Sequence, residues 1–319
     1  MLTLAGASNS SELMAPLLPA DKMSIPFQKI GLIGKHGDPA VKETIRTLCN
    51  FLSGHGREVI LEEATARLLD GNLLQSLPEI DLPGHSDLVI VVGGDGTLLH
   101  AARVLAKQHT PLLGINLGRL GFLVDISPNQ MLPHLDMILN GEYEQEVRFL
   151  LEVTMGDESS AQEGMLAFND VVLHKWNIAR MIEFETYVDG QLVNDQRSDG
   201  LIVSTPTGST AYALSGGGPL LHPSLNAIVL VPICPHTLSN RPIVVDGDSE
   251  IEIRLNKALS EDVQITCDGQ STLPIMQGEV VRIRKAEEQV RLIHPVGYDY
   301  YGILRAKLGW GENPKNNRC

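Results

Sequence analysis

Asp95 stands in the run Gly93-Gly94-Asp95-Gly96-Thr97. Glycines at such a place let a phosphate approach the backbone closely and permit positive φ. Free backbone N–H groups at the head of a helix favour phosphate. A carboxylate that merely sat beside a phosphate would repel it. Asp95 makes chemical sense if it accepts a proton from an attacking hydroxyl, or holds a metal bound to the phosphate. The plain alternative is an Asp-Gly turn, the reading that suits Asp189-Gly190, Asp246-Gly247 and Asp268-Gly269.

The flanking residues argue against a plain turn. Leu88 to Val92 is a short, uncharged, β-branched run and reads as a buried parallel strand. Leu98 to Ala106 carries apolar residues at helical spacing, with Thr97 as the expected N-cap. The glycine loop therefore joins a strand to a helix, where an open α/β sheet binds phosphate.

Three further stretches carry polar groups of interest. Asn169-Asp170 interrupts the strand-like run Met165 to His174. An amide and a carboxylate inside an apolar strand are costly without partners, and the vicinal hydroxyls of a ribose would supply them. A bulge or strand end at Asn169 is the competing reading. The second stretch runs from Arg197-Ser198-Asp199-Gly200 to Pro219. Its hydroxyls and glycines suit a segment wrapped around a polar ligand, with Tyr212 stacked on a base. A surface loop is the weaker option. The third, Cys267-Asp268-Gly269-Gln270, reads as a turn. Lys175, Arg180, Arg197 and Arg241 are cations that could meet phosphate or ribose, and His100 follows the glycine loop by one turn.

Several chemistries are disfavoured. Ser209 is not in a Gly-x-Ser-x-Gly elbow, and the histidines show no His-Glu-x-x-His spacing. Neither the Gly-x-Gly-x-x-Gly dinucleotide fingerprint nor the Gly-x-x-x-x-Gly-Lys-[Ser/Thr] P-loop is present.

The elements that must position these residues alternate in the first half. Lys29 to Gly34, Arg57 to Leu61, Leu88 to Val92 and Pro111 to Asn116 read as strands. Pro39 to Leu52, capped by Asp38, and Pro128 to Leu139 read as helices, with a helical region also reaching to about Leu77. This alternation implies a parallel sheet with right-handed crossovers. Asn116 to Leu123 reads as a second glycine loop facing the first, with a plain connection as the competing reading. From about Val147 the runs shorten, alternate and are punctuated by turns, Asp189-Gly190 being the clearest hairpin signal. The expected division is an extension at 1–24, an α/β domain at 25–145, a β-rich domain at 146–296, and a partly helical segment at 297–319 that packs back on the first domain. Met23 is a candidate natural start.

The chain has 319 residues, a net charge of −14 and 43% hydrophobic residues, so it is globular and lacks the basic balance of a nucleic-acid surface. Its four cysteines are scattered and point to a reducing compartment, read here as the cytoplasm. No apolar run is long enough to span a membrane.

Taken together, these residues resemble the bacterial NAD kinase family. The likeness runs from Lys29 to about Trp310. It rests on Gly93 to Thr97, Asn116 to Leu123, Phe168 to His174, Ser198 to Pro219, Val231 to Ser239 and Lys307-Leu308-Gly309-Trp310. The resemblance implies an α/β N-terminal domain, Rossmann-like, and a β-sandwich-like C-terminal domain. It also implies a homo-oligomer, commonly a tetramer, and phosphoryl transfer from ATP, with Mg²⁺, to the 2′-hydroxyl of the adenosine ribose of NAD. By that likeness Asp95 is the proton acceptor and binds substrate together with Gly96. Asn169 and Asp170 hold ribose hydroxyls, and Arg180, Arg197 and Asp199 contact the dinucleotide. Thr210, Ala211, Tyr212, Ala213, Leu214 and Ser215 line the adenine end. Gln270 touches substrate, and His100 is a weaker carry-over. A lipid kinase sharing the glycine loop and a non-catalytic dinucleotide sensor are the alternatives.

Overall fold

The computed structural model describes residues 27–69, 71, 74–118, 120–156, 164–175, 181–237, 239–255, 263–275 and 279–310. The expectations for 1–24, for the C-terminal tail beyond Trp310 and for Arg180 fall outside these residues.

The first half alternates. It comprises β1 (Lys29–Gly34), α1 (Pro39–Gly54), β2 (Glu58–Glu62), α2 (Glu63–Ala66), β3 (Gln75–Leu77), β4 (Leu88–Gly93), α3 (Asp95–Leu105), β5 (Leu112–Asn116) and α4 (Met131–Leu139). The second half is mostly strand. It comprises β6 (Tyr143–Met155), β7 (Met165–Ala167), β8 (Asp170–Lys175), β9 (Ile182–Val188), β10 (Gln191–Ser198), β11 (Gly200–Ser204), α5 (Tyr212–Ser215), β12 (Ala227–Ile233), β13 (Ile243–Asp246), β14 (Ile251–Leu255), β15 (Val263–Cys267), β16 (Ser271–Pro274), β17 (Val280–Pro295) and α6 (Tyr300–Leu308).

Strands β5, β4, β1, β2 and β3 pair in parallel in that order. All six residues of β4 are buried, because α1 and α4 cover one sheet face and α3 the other. The sheet continues into the β-rich half. The C-terminal part of β17 pairs in parallel with β5 through Leu292 and Leu112, and its N-terminal part pairs antiparallel with β14. The result is one 11-stranded sheet. A second sheet, in the order β13-β12-β11-β8-β15-β16, is antiparallel throughout and packs on it. Val171, Leu173, Leu201 and Val203 of the smaller sheet meet Phe184, Ile251, Ile253 and Ile283 of the larger one in a shared core. The fold is thus a parallel α/β layer joined to a β-sandwich.

The structure corrects several local expectations. The helical region after β2 is only α2, because Gly71 takes φ +69° and the chain then extends into β3. Helix α4 starts at Met131, since Ser127 to Gln130 closes as a turn. Gly94, with φ −120° and ψ −173°, caps α3; Thr97 is its third residue and packs against Gly93 instead. The run Met165 to His174 is two strands, β7 in the large sheet and β8 in the small one, with the chain crossing at Phe168-Asn169.

Candidate active site

Asp95 is the first residue of α3, directly beyond the buried end of β4. The second glycine loop does face it: Leu117 N–H donates to the Gly93 carbonyl at 3.0 Å. Phe122 N–H donates to Asp95 Oδ2 at 2.8 Å, while Leu123 and Val124 N–H groups donate to Oδ1 at 3.1 and 3.2 Å. A carboxylate has about four acceptor positions, so one on Oδ2 stays open. The approach is close enough that a Cβ on Gly121 would lie 2.0 Å from Asp95 Oδ1.

A chain of contacts runs from this loop to Asn169-Asp170. Gln270 Nε2 donates to the Gly96 carbonyl at 2.9 Å. Arg103, two turns along α3 from Asp95, donates to Gln270 Oε1 at 2.7 Å and to Asp268 Oδ2 at 2.9 Å. Asp268 Oδ1 accepts from Asn169 N–H at 2.7 Å and Asp170 N–H at 3.1 Å, and Oδ2 accepts from Phe168 N–H at 3.0 Å. The turn expected at Asp268 exists, with φ +52°. It is also the brace that holds the crossing between β7 and β8. Sequence reasoning missed Arg103 altogether and saw only a turn at Asp268. The available signals were an arginine eight residues along the helix from Asp95 and an Asp-Gly turn directly after a buried strand.

Asn169 and Asp170 open on a pocket of about 400 Å³, which Tyr212, His174, Thr266 and Asp268 also line. Asp170 is only 4% exposed. Burial, reinforced by the Asp268 carboxylate, pushes its pKa up to about 7. Tyr212 is exposed over the pocket, a position suited to stacking. The hydroxyl-rich segment owes much of its composition to packing against Asn169. Thr205 N–H and Ser204 Oγ both donate to the Asn169 carbonyl, and a Cβ on Gly208 would lie 2.1 Å from that oxygen. Ser209 is fully buried, its Oγ donating to the Pro206 carbonyl at 2.6 Å.

Other expected residues take varied positions. Thr210 closes a 3₁₀ turn over Thr207–Thr210, and Ala211 lines the pocket. Ala213 packs in the core beneath α5, Leu214 is half-buried and Ser215 is exposed. Asp199 pairs with Lys175 at 2.8 Å, and Arg197 lies 3.6 Å from Glu183. Arg241 donates to the Asn240 carbonyl. His100 lies 3.1 Å from Glu79, whose hydrogen bond raises its pKa.

This geometry, a phosphate-type glycine loop with a carboxylate beside a pocket with paired polar groups, defines a phosphotransferase for nucleotide substrates. Residues 30–143 match the ATP-NAD kinase N-terminal domain and residues 168–295 the ATP-NAD kinase C-terminal domain. The NAD kinase of Hahella chejuensis is 52% identical over 287 residues, covering 90% of this chain and 97% of that protein. The NAD kinase of Nitrosococcus oceani is 49% identical over 290 residues, covering 91% and 99%. Among solved structures, yeast NADH kinase complexed with NADH superposes with a TM-score of 0.83 at 25% identity, covering 92% of this chain and 91% of that one. An NAD kinase from Archaeoglobus fulgidus in complex with ATP gives 0.67 at 27% identity, covering 88% and 97%. The chain belongs to the ATP-NAD kinase family.

Proposed function

We propose that this kinase transfers the γ-phosphoryl group of ATP to the 2′-hydroxyl of the adenosine ribose of NAD, giving NADP and ADP, with Asp95 taking the proton of that hydroxyl. The observation that carries the reading is the hydrogen-bonded path from Gly96 through Gln270, Arg103 and Asp268 to Asn169 and Asp170. It ties the loop suited to a triphosphate to the pocket suited to a ribose.

A ribose hydroxyl is a poor nucleophile, and its proton must leave as the new bond forms. Asp95 takes it on the open position of Oδ2. Asn169 and Asp170 hold ribose hydroxyls. Tyr212 stacks on the adenine, with Thr210 to Ser215 around it. Arg180, Arg197, Asp199, Gln270 and His100 serve the rest of the dinucleotide. Backbone N–H groups at the start of α3 face the triphosphate. Mg²⁺ needs few protein ligands when phosphates supply the others. Among the described residues no group of three or more His, Cys, Asp or Glu side chains is placed to hold a metal. Mg²⁺ would arrive on the triphosphate and would neutralise phosphate charge there. Residues 25–145 then serve chiefly ATP and 146–296 chiefly NAD.

The protein works as a homo-oligomer, commonly a tetramer in its family. Exposed Leu192 and Val193 on edge strand β10 suit a contact with a second copy. A cytoplasmic setting fits Cys49, Cys234 and Cys267, which form no disulfide among the described residues. No described helix is long and apolar enough to cross a membrane. Phosphorus NMR of the product made from NAD and ATP tests the regiochemistry. The expected product carries a ribose 2′-monophosphate. A 3′-phosphate, or phosphate on any other acceptor, overturns the reading.

A further inference from the structure

Arg103 and Asp268 form a buried ion pair between the two halves of the molecule, with side chains 9% and 0% exposed. Arg103 was not singled out by sequence, and Asp268 stood out only as part of a turn. Asp268 spends all of its acceptor positions, about four for a carboxylate, on three consecutive backbone N–H groups and on Arg103. It has none left for a ligand. Arg103 spends its guanidinium on Asp268, Gln270 and the Cys267 carbonyl. A buried ion pair is by itself a weak source of net stability. What this pair does is geometric. Helix α3 starts at Asp95 and carries Arg103 about 12 Å further along a rigid rod. Arg103 then grips the turn that holds Phe168, Asn169 and Asp170 by their backbones.

We infer that Arg103 is a positioning residue for the phosphoryl transfer, fixing Asn169 and Asp170 relative to Asp95 by way of Asp268 and Gln270. The inference rests on the roles given above to Asp95, Asn169 and Asp170. A misplacement of about 1 Å between reacting groups can cost about a hundredfold in rate. The pair also sets the charge around Asp170. The groups facing Asp170 are Asp268 and Cys267 from β15 and its turn, with Arg103 behind Asp268, His174 from its own strand and Tyr212 from α5. Arg103 offsets the Asp268 charge. Removing Arg103 makes Asp170 ionise at higher pH, and neutralising Asp268 makes it ionise at lower pH.

The test measures kcat, both KM values and pH–rate profiles on the full-length enzyme, using Arg103→Met, Arg103→Lys and Asp268→Asn, with Asp95→Asn alongside. Arg103→Met is expected to lower kcat by about ten- to a hundredfold per folded active site, with KM for ATP unchanged. Arg103→Lys is expected to recover part of the loss. A ribose hydroxyl donates to the Asp170 carboxylate only when that group is ionised, so the acid limb that Asp170 sets is expected to move up in Arg103→Met and down in Asp268→Asn. If Arg103→Met does not fold, the partial loss in Arg103→Lys and the downward limb in Asp268→Asn carry the test. Wild-type kcat and an unmoved acid limb in the folded variants overturn the inference while leaving the roles of Asp95, Asn169 and Asp170 intact. Full turnover in Asp95→Asn removes Asp95 as the proton acceptor and overturns the inference with it, since the inference places Asn169 and Asp170 relative to that group.

Discussion

A carboxylate that takes a proton from a ribose hydroxyl must keep a lone pair open and still be held still. Asp95 meets both needs, three N–H donors fixing it and one Oδ2 position remaining. Asp170 is the opposite case, a carboxyl whose burial and Asp268 neighbour hold its pKa near 7. The folded value lies above the ordinary aspartate value of 3.8. Folding therefore takes up a proton between about pH 4 and 7, and this group's contribution to stability falls as pH rises through that window. Asp170→Asn is expected to gain stability over wild type progressively across the same window in thermal melts from pH 4 to 8. A wild-type-to-variant difference that does not change with pH contradicts the assignment. At this scale the sequence marked Asp95, Asn169 and Asp170 because their polarity clashes with an apolar strand or a phosphate loop. It could not mark Arg103, since a lone arginine on a helix looks solvated until its distant partner is known.

Among elements, the meeting of two glycine loops decides the site. The expectation that residues 116–123 face Gly93 to Thr97 held, because both loops leave neighbouring parallel strands at the same sheet edge. Gly121 has no room for a Cβ, whereas the nearest atom to one on Gly118 would be 3.9 Å away. Gly121→Ala is expected to displace the loop from Asp95, at an overpacking cost of about 1–3 kcal/mol and with a large loss of kcat. Gly118→Ala is expected to keep wild-type thermal stability. Equal behaviour of the two variants in melts and steady-state assays contradicts the loop packing. Strand positions were legible from apolar periodicity, and the strand end at Asn169 was one of two readings, but the change of sheet there was not legible. Both strands satisfy the same alternation, and only the brace from Asp268 reveals where the chain changes sheets.

At the scale of the molecule, β17 is the member that makes two halves one body. It runs from Val280 to Pro295, pairing along most of its length with β6 and meeting β5 at its end. Charged residues such as Arg284, Glu287 and Glu288 hid that length from a hydrophobic pattern. The far end of β17 also anchors the hydroxyl-rich segment. His294 lies 3.5 Å from both Asp125 and Glu146, Glu146 pairs with Arg148, and Arg148 donates to Thr207 Oγ1 at 3.0 Å. Helix α6 closes the arrangement, with Lys307 5.2 Å over the Phe122 ring and Tyr300 OH donating to the Leu221 carbonyl. The loop that holds Asp95 is thereby tied to the pocket half by α6 as well as by Arg103.

The most direct measurement is single-turnover formation of NADP from NAD and MgATP, wild type beside Asp95→Asn, with both proteins checked for folding and NAD binding. The expected result is NADP from wild type and a chemical step slowed by about a hundred- to ten-thousandfold in the variant, with NAD affinity retained. A variant that binds NAD and turns over at the wild-type rate would remove Asp95 as the proton acceptor and contradict the mechanism.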